Sequence, residues 1–137
     1  MKINNNIVDV LTRVAVANDY PRAKMSAGLV KSNRLISIGT NRMKSDPLQA
    51  KYGKNREAIY LHAEIHAIKN ALKEYSLDEI EGSDLYVVRV KRKDEHAIGF
   101  VHGMAKPCEG CVRAINEFGI RNVAFTNGIG MACYETD

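Results

Sequence analysis

The chain has no tryptophan, three prolines and three cysteines in 137 residues. Without tryptophan and with six scattered tyrosines, there is little from which to build a groove where aromatic side chains alternate with basic ones, the surface that single-stranded nucleic acid requires. No apolar run approaches the roughly 20 residues that span a bilayer. The first residues, Met1-Lys2-Ile3-Asn4-Asn5-Asn6, carry one positive charge and then polar groups. They lack the apolar stretch and small-residue cleavage site of an export signal, so the chain is expected in the cytoplasm, with no membrane partner. Three cysteines, an odd number, do not complete a disulfide framework and read as metal ligands or core thiols. Charge of one sign is not dominant either: 20 Lys+Arg against 16 Asp+Glu leave a net +4. That balance suits a phosphate-bearing partner but does not by itself imply nucleic acid.

Hydrophobic residues make up 45% and charged residues 26%, the composition of a folded globular protein. The length fits a single domain over residues 1–137. Ile7, Val10, Leu11, Val14 and Ala17 recur at helical spacing and predict a first helix over 7–17, with Asn5 or Asn6 as its cap. Residues 25–30 and 34–39 read as two strands of a hairpin around Lys31-Ser32-Asn33. The stretch 41–56 lacks sustained periodicity. It carries Arg42, Lys44, Lys51, Lys54 and Arg56 and reads as a long loop, a place where function tends to sit. A second helix is expected over 61–75 and a buried strand over 85–90. Lys91 to Glu95 read as a wet charged turn that takes in the run from Arg89, and residues 97–101 as a returning extra strand. Pro107 opens a third helix that runs to Phe118 and closes at Gly119. A strand over 122–126 leads to Asn127-Gly128, a hairpin signal, so 131–135 should fold back antiparallel. The order implies a three-layer α/β/α domain around a mixed five-stranded sheet with its last two strands antiparallel.

Two short motifs stand at the predicted helix starts: His62-Ala63-Glu64 and Pro107-Cys108-Glu109-Gly110-Cys111. One imidazole and two thiolates suit zinc, and three protein ligands leave its fourth position open, as catalysis requires. Cys108 and Cys111 are three apart and share a helix face. Both lie in a first turn, where free N–H groups and the helix dipole favour thiolate. Glu64 has no place in a purely structural site. If His62 occupies the helix entrance, both can face one cavity, with Glu64 handling the proton of a water made acidic by zinc. A closed structural zinc site would need a fourth ligand from Cys133, His66 or His102; His96 and His102 flank the extra strand and are given no role.

H-A-E with P-C-x-x-C, preceded by Gly39-Thr40-Asn41, resembles the zinc-dependent cytidine and deoxycytidylate deaminase superfamily, whose His/Cys/Cys zinc site and non-ligand glutamate are the known signature. Gly39-Thr40-Asn41-Arg42-Met43-Lys44 and Pro47-Leu48-Gln49-Ala50-Lys51-Tyr52-Gly53 are similar to the wording of its short phage-type deoxycytidylate deaminases. The resemblance implies Zn2+ held by His62, Cys108 and Cys111, Glu64 as proton shuttle, a sugar contact at Asn41, backbone contacts near Ala63 and Cys108, and hydrolysis of dCMP to dUMP and ammonia. It also implies a homo-oligomer. Arg42 and Lys44 are expected to meet the 5′-phosphate, and Tyr134 to stack on the base or pack in the sheet. The nucleoside, and single-stranded DNA or tRNA, remain alternative substrates. The Asn127-Gly128 turn, where many deoxycytidylate relatives have a helix, and His66, where a smaller polar residue is common, depart from the family pattern.

Overall fold

The first helical repeat forms α1 (Asn5–Ala17) in a computed structural model that describes residues 1–20, 23–53, 60–93 and 99–136. Its cap is Asn4, ahead of the expected Asn5 or Asn6: Asn4 Oδ1 accepts from the N–H groups of Asn6 (3.0 Å) and Ile7 (3.3 Å). Asn4 is held for that role, because its own N–H donates to the Tyr86 hydroxyl and its side-chain amide to Asn33. The hairpin follows as β1 (Lys24–Lys31) and β2 (Arg34–Thr40). Ser32 and Asn33 turn it with φ of 52° and 60°, the positive values that match a two-residue turn to strand twist.

The stretch read as a loop contains a short helix, α2 (Pro47–Tyr52), capped by Asp46, whose carboxylate accepts from the Leu48 N–H at 2.9 Å. Fewer than two turns leave too little periodicity to register in a sequence pattern. Lys54 and Arg56 lie outside the described residues. The second helix is shorter than expected, α3 (Ala63–Leu72), and a separate turn of helix, α4 (Leu77–Ile80), follows under a capping box between Ser76 and Glu79. The remaining elements are β3 (Asp84–Arg92), β4 (Phe100–Gly103), α5 (Glu109–Glu117), β5 (Asn122–Thr126) and β6 (Met131–Glu135).

The expected mixed five-stranded sheet is present in the order β2-β1-β3-β5-β6, and β4 adds a sixth strand against β3. Only β3 and β5 run parallel among the described pairs; β5 and β6 are antiparallel, joined through Gly128 at φ 91°. β5 pairs with β3 over 84–87 and β4 pairs with it over 89–92, so the two lie end to end along one strand. Strand alternation divides the core in two. Leu85, Val87, Val123 and Phe125 pack under α3 and α5, while Tyr86, Val88, Val90 and Ala124 pack against α1. That is the three-layer arrangement. A Cβ at Gly39 would sit 2.2 Å from the Ala67 nitrogen, so glycine there lets α3 lie directly on β2. Among the described residues no helix is long and apolar enough to cross a membrane.

Candidate active site

His62 is the N-cap of α3 and Cys108 the N-cap of α5, both with extended backbones and neither with a capping side-chain bond. Their side chains are therefore left for other work, and the two helix starts bring them together. His62 Nδ1 lies 3.6 Å from Cys108 Sγ and 3.4 Å from Cys111 Sγ, and the three ligand atoms all fall within 4.8 Å of one another. Zinc bonds of about 2.05 Å to nitrogen and 2.3 Å to sulphur at tetrahedral angles would place N and S about 3.6 Å apart. The donor set and its spacing fit Zn2+. No other such cluster occurs among the described residues. His66, Cys133 and His102 do not join this one: His66 Nδ1 accepts from the Thr40 N–H, Cys133 is an exposed thiol in β6, and His102 meets Thr12. His96 lies outside the described residues.

Hydrogen bonding with Cys111 and then His62 pulls Cys108 down to about 3, while the bond to Cys108 and burial push Cys111 up. His62 is raised, chiefly by its bond to Cys108. Glu64, in the first turn of α3, is 3% exposed. Burial pushes its carboxyl up, with its own backbone N–H and His62 acting against that. A buried carboxyl whose hold on its proton is strengthened in this way is suited to taking and returning one.

His62, Glu64 and Cys108 line one pocket of about 420 Å³ together with Asn41, Tyr20, Tyr60, Arg89 and Lys106. Cys111 is wholly buried behind it. Asn41 is nearly buried and its amide is mostly committed: Oδ1 accepts from the Met25 N–H and from Asn18, and Nδ2 donates to the Ala23 carbonyl. One of its N–H groups remains. Ala63 is the first residue of α3, fully buried, and its N–H has no partner within the helix. Arg42 and Lys44 are not among the pocket's lining. They border neighbouring grooves that share Tyr20 and Leu61 with the pocket, and their main chains hold the residue before His62, through Arg42 N–H to Leu61 O and Leu61 N–H to Lys44 O. Tyr134 also stands outside the lining, packed tilted against Phe125 at 6.3 Å; burial, then Glu64 and Cys111, raise its hydroxyl.

Tyr20, Tyr60, Arg89 and Lys106 line the pocket although the sequence does not mark them as site residues. Arg89 reads there as part of a solvated charged turn. Gln49 stands out in the sequence only as part of a family-like segment, yet its side-chain carbonyl, 1% exposed as a residue, accepts the His62 N–H at 2.9 Å and so fixes the start of α3. α2, which carries Gln49, also touches α5: a Cβ at Gly110 would come within 2.6 Å of the Tyr52 carbonyl, which accepts from Arg113. Nothing in the linear pattern of 47–52 announces that contact.

The family described as the cytidine and deoxycytidylate deaminase zinc-binding region matches residues 1–127. Among solved structures, dCMP deaminase from the cyanophage S-TIM5 in apo form is similar with a TM-score of 0.60 and 21% identity, over 93% of this chain and 86% of that one. The same cyanophage enzyme in complex with dCMP and dUMP gives 0.53 and 20%, over 92% and 85%. A diaminohydroxyphosphoribosylaminopyrimidine deaminase/5-amino-6-(5-phosphoribosylamino)uracil reductase from Thermotoga maritima gives 0.53 and 22%, over 90% of this chain and 32% of that one. At such identities the likeness is one of fold. No curated protein matches the chain.

Proposed function

Because the chain belongs to the cytidine and deoxycytidylate deaminase family through its zinc-binding region, we propose that it hydrolyses the cytosine amino group of a free nucleotide, converting dCMP to dUMP and ammonia. The observation that carries this reading is the convergence of His62, Cys108 and Cys111 from two helix starts beside the buried carboxyl of Glu64, with His62, Cys108 and Glu64 facing one pocket. Zn2+ held by the three ligands would supply a water of lowered pKa at its open position.

The chain's own residues do the rest. Glu64 takes a proton from the water that adds to C4, passes it to ring N3, and serves the departing amino group as it leaves as ammonia. Water and cytosine become uracil and ammonia, so atoms balance and no oxidant is needed. Asn41 offers its remaining N–H to the sugar, and the free N–H of Ala63 and the main chain at Cys108 hold the base. Arg42 and Lys44, one groove away, add to the positive field that draws a phosphate-bearing substrate. Tyr134 backs Glu64 and Cys111 rather than stacking on the base. Self-association belongs to the same proposal, and sedimentation at micromolar concentration reads it directly.

The test is ammonia release by zinc-loaded protein from dCMP, CMP, dCTP, deoxycytidine, cytidine and a single-stranded oligonucleotide. The highest kcat/KM on dCMP is the expected outcome. A higher value on deoxycytidine replaces the substrate, and turnover of the oligonucleotide alone overturns the free-nucleotide reading.

A further inference from the structure

On the sheet face beneath α3 and α5, the β3 row Leu85, Val87 ends in Arg89. The first two are fully buried in apolar core. The third position is a half-buried cation that lines the same pocket as His62, Glu64 and Cys108. Shielding a guanidinium from water is costly unless its N–H groups find acceptors. Those of Arg89 are poorly served: Nε is shut off from solvent without a partner, and Nη1 reaches the Met104 carbonyl only at 3.5 Å. None of the ion pairs among the described residues includes Arg89.

The surroundings hold this under-bonded group in place. The Arg89 N–H donates to Thr126 Oγ1 at 3.1 Å, and that hydroxyl donates to the Gly103 carbonyl at 2.7 Å. Gly103 faces Arg89 across the β3–β4 ladder, where a Cβ would press to 3.3–3.5 Å against Cδ, Nε and Cγ of the arginine. Glycine leaves the stem its lane. Lys106 brings a second cation to the pocket, whose described lining has Glu64 as its one carboxylate. A fixed planar fork with free donors, backed by a second positive charge, matches a tetrahedral oxyanion better than any neutral group.

We infer that Arg89, seconded by Lys106, determines specificity by taking the 5′-phosphate of the substrate nucleotide while the end of the pocket at His62, Cys108 and Glu64 takes the base. The assignment of the base end rests on the deaminase reading above; the anion end rests on Arg89 itself. It moves the phosphate contact from Arg42 and Lys44, which lie outside the pocket, to two residues within it.

The experiment compares zinc-loaded wild type, R89Q, R89K and K106A on dCMP and deoxycytidine, and measures binding of dUMP and deoxyuridine to each by calorimetry. In R89Q the ratio of kcat/KM for dCMP over deoxycytidine should fall by about tenfold to a hundredfold, the size of a lost charge-assisted contact. R89K should lose less, and the preference for dUMP over deoxyuridine should shrink in step. An unchanged ratio, or equal losses on both substrates, overturns the assignment. Melting temperature and zinc content check that R89Q is folded; if it is not, R89K retains the charge without the fork and reads the same ratio. A wild type that deaminates neither monomer but prefers dUMP through Arg89 ends the free-nucleotide deaminase reading and keeps the phosphate site. A wild type that binds dUMP no better than deoxyuridine ends the phosphate site whatever its activity.

Discussion

Cys108 and Cys133 are both exposed thiols, yet only Cys108 has an imidazole and a second sulphur within ligand range. Exposure does not separate them; neighbours do. Cys108→Ser and Cys111→Ser should each lose the roughly one zinc per chain that a three-ligand site holds, by metal analysis of purified protein. Cys133→Ser should keep it, and loss there equal to the other two would make the site closed and structural. Glu64 lines the same pocket but does not join the cluster of three ligand atoms. Glu64→Gln keeps its shape and removes the proton acceptor, so turnover should drop by at least about a hundredfold while zinc content and melting temperature stay near wild type. Near-normal turnover in that variant would hand the proton to another group.

Among the elements, α2 has more effect on the site than its six residues suggest. Through Gln49 it holds the His62 N–H, through the Tyr52 carbonyl it meets α5, and through Asp46 it is tied to α3. The Asp46 carboxylate, 3% exposed, pairs with Lys69, caps α2 at Leu48, and is held below its usual range chiefly by Lys69. A depressed carboxylate contributes stability above its unfolded pKa of about 4 and loses it as pH falls through the lower folded value. Asp46→Asn should therefore cost about 1–2 kcal/mol at pH 7, a modest figure because Lys69 is 40% exposed. Denaturant melts should show the gap narrowing as pH falls below about 4; a gap that does not narrow with acid would place its cause in packing rather than charge. α2 and α4 were hard to read in the sequence for one reason: each is too short to repeat an apolar stripe. The zinc motifs were legible because each is local to one helix start. Arg89 was not, since the basic run Lys91-Arg92-Lys93 begins one residue beyond Val90 and only pairing with Gly103 shows which way Arg89 is held.

At the scale of the whole molecule, the sheet is what makes these fragments a site. His62 and Cys108 are 46 positions apart, and the chain between them supplies β3, at the centre of the sheet, and its partner β4. The length and core of the domain were readable from composition and alternation, whereas the end-to-end placement of β4 and β5 along β3 was not, because strand patterns carry no record of neighbours. Neither helix can present its ligand to the other until both lie on the finished sheet. Metal capture is thus a clock for folding: loops of this length close late relative to local helix formation. A refolding chain given a fluorescent zinc indicator should show helical circular dichroism first and chelation later, in the same phase as the tertiary signal. Zinc taken up tightly together with the first helical signal would mean that the ion gathers the two helices and templates the sheet between them.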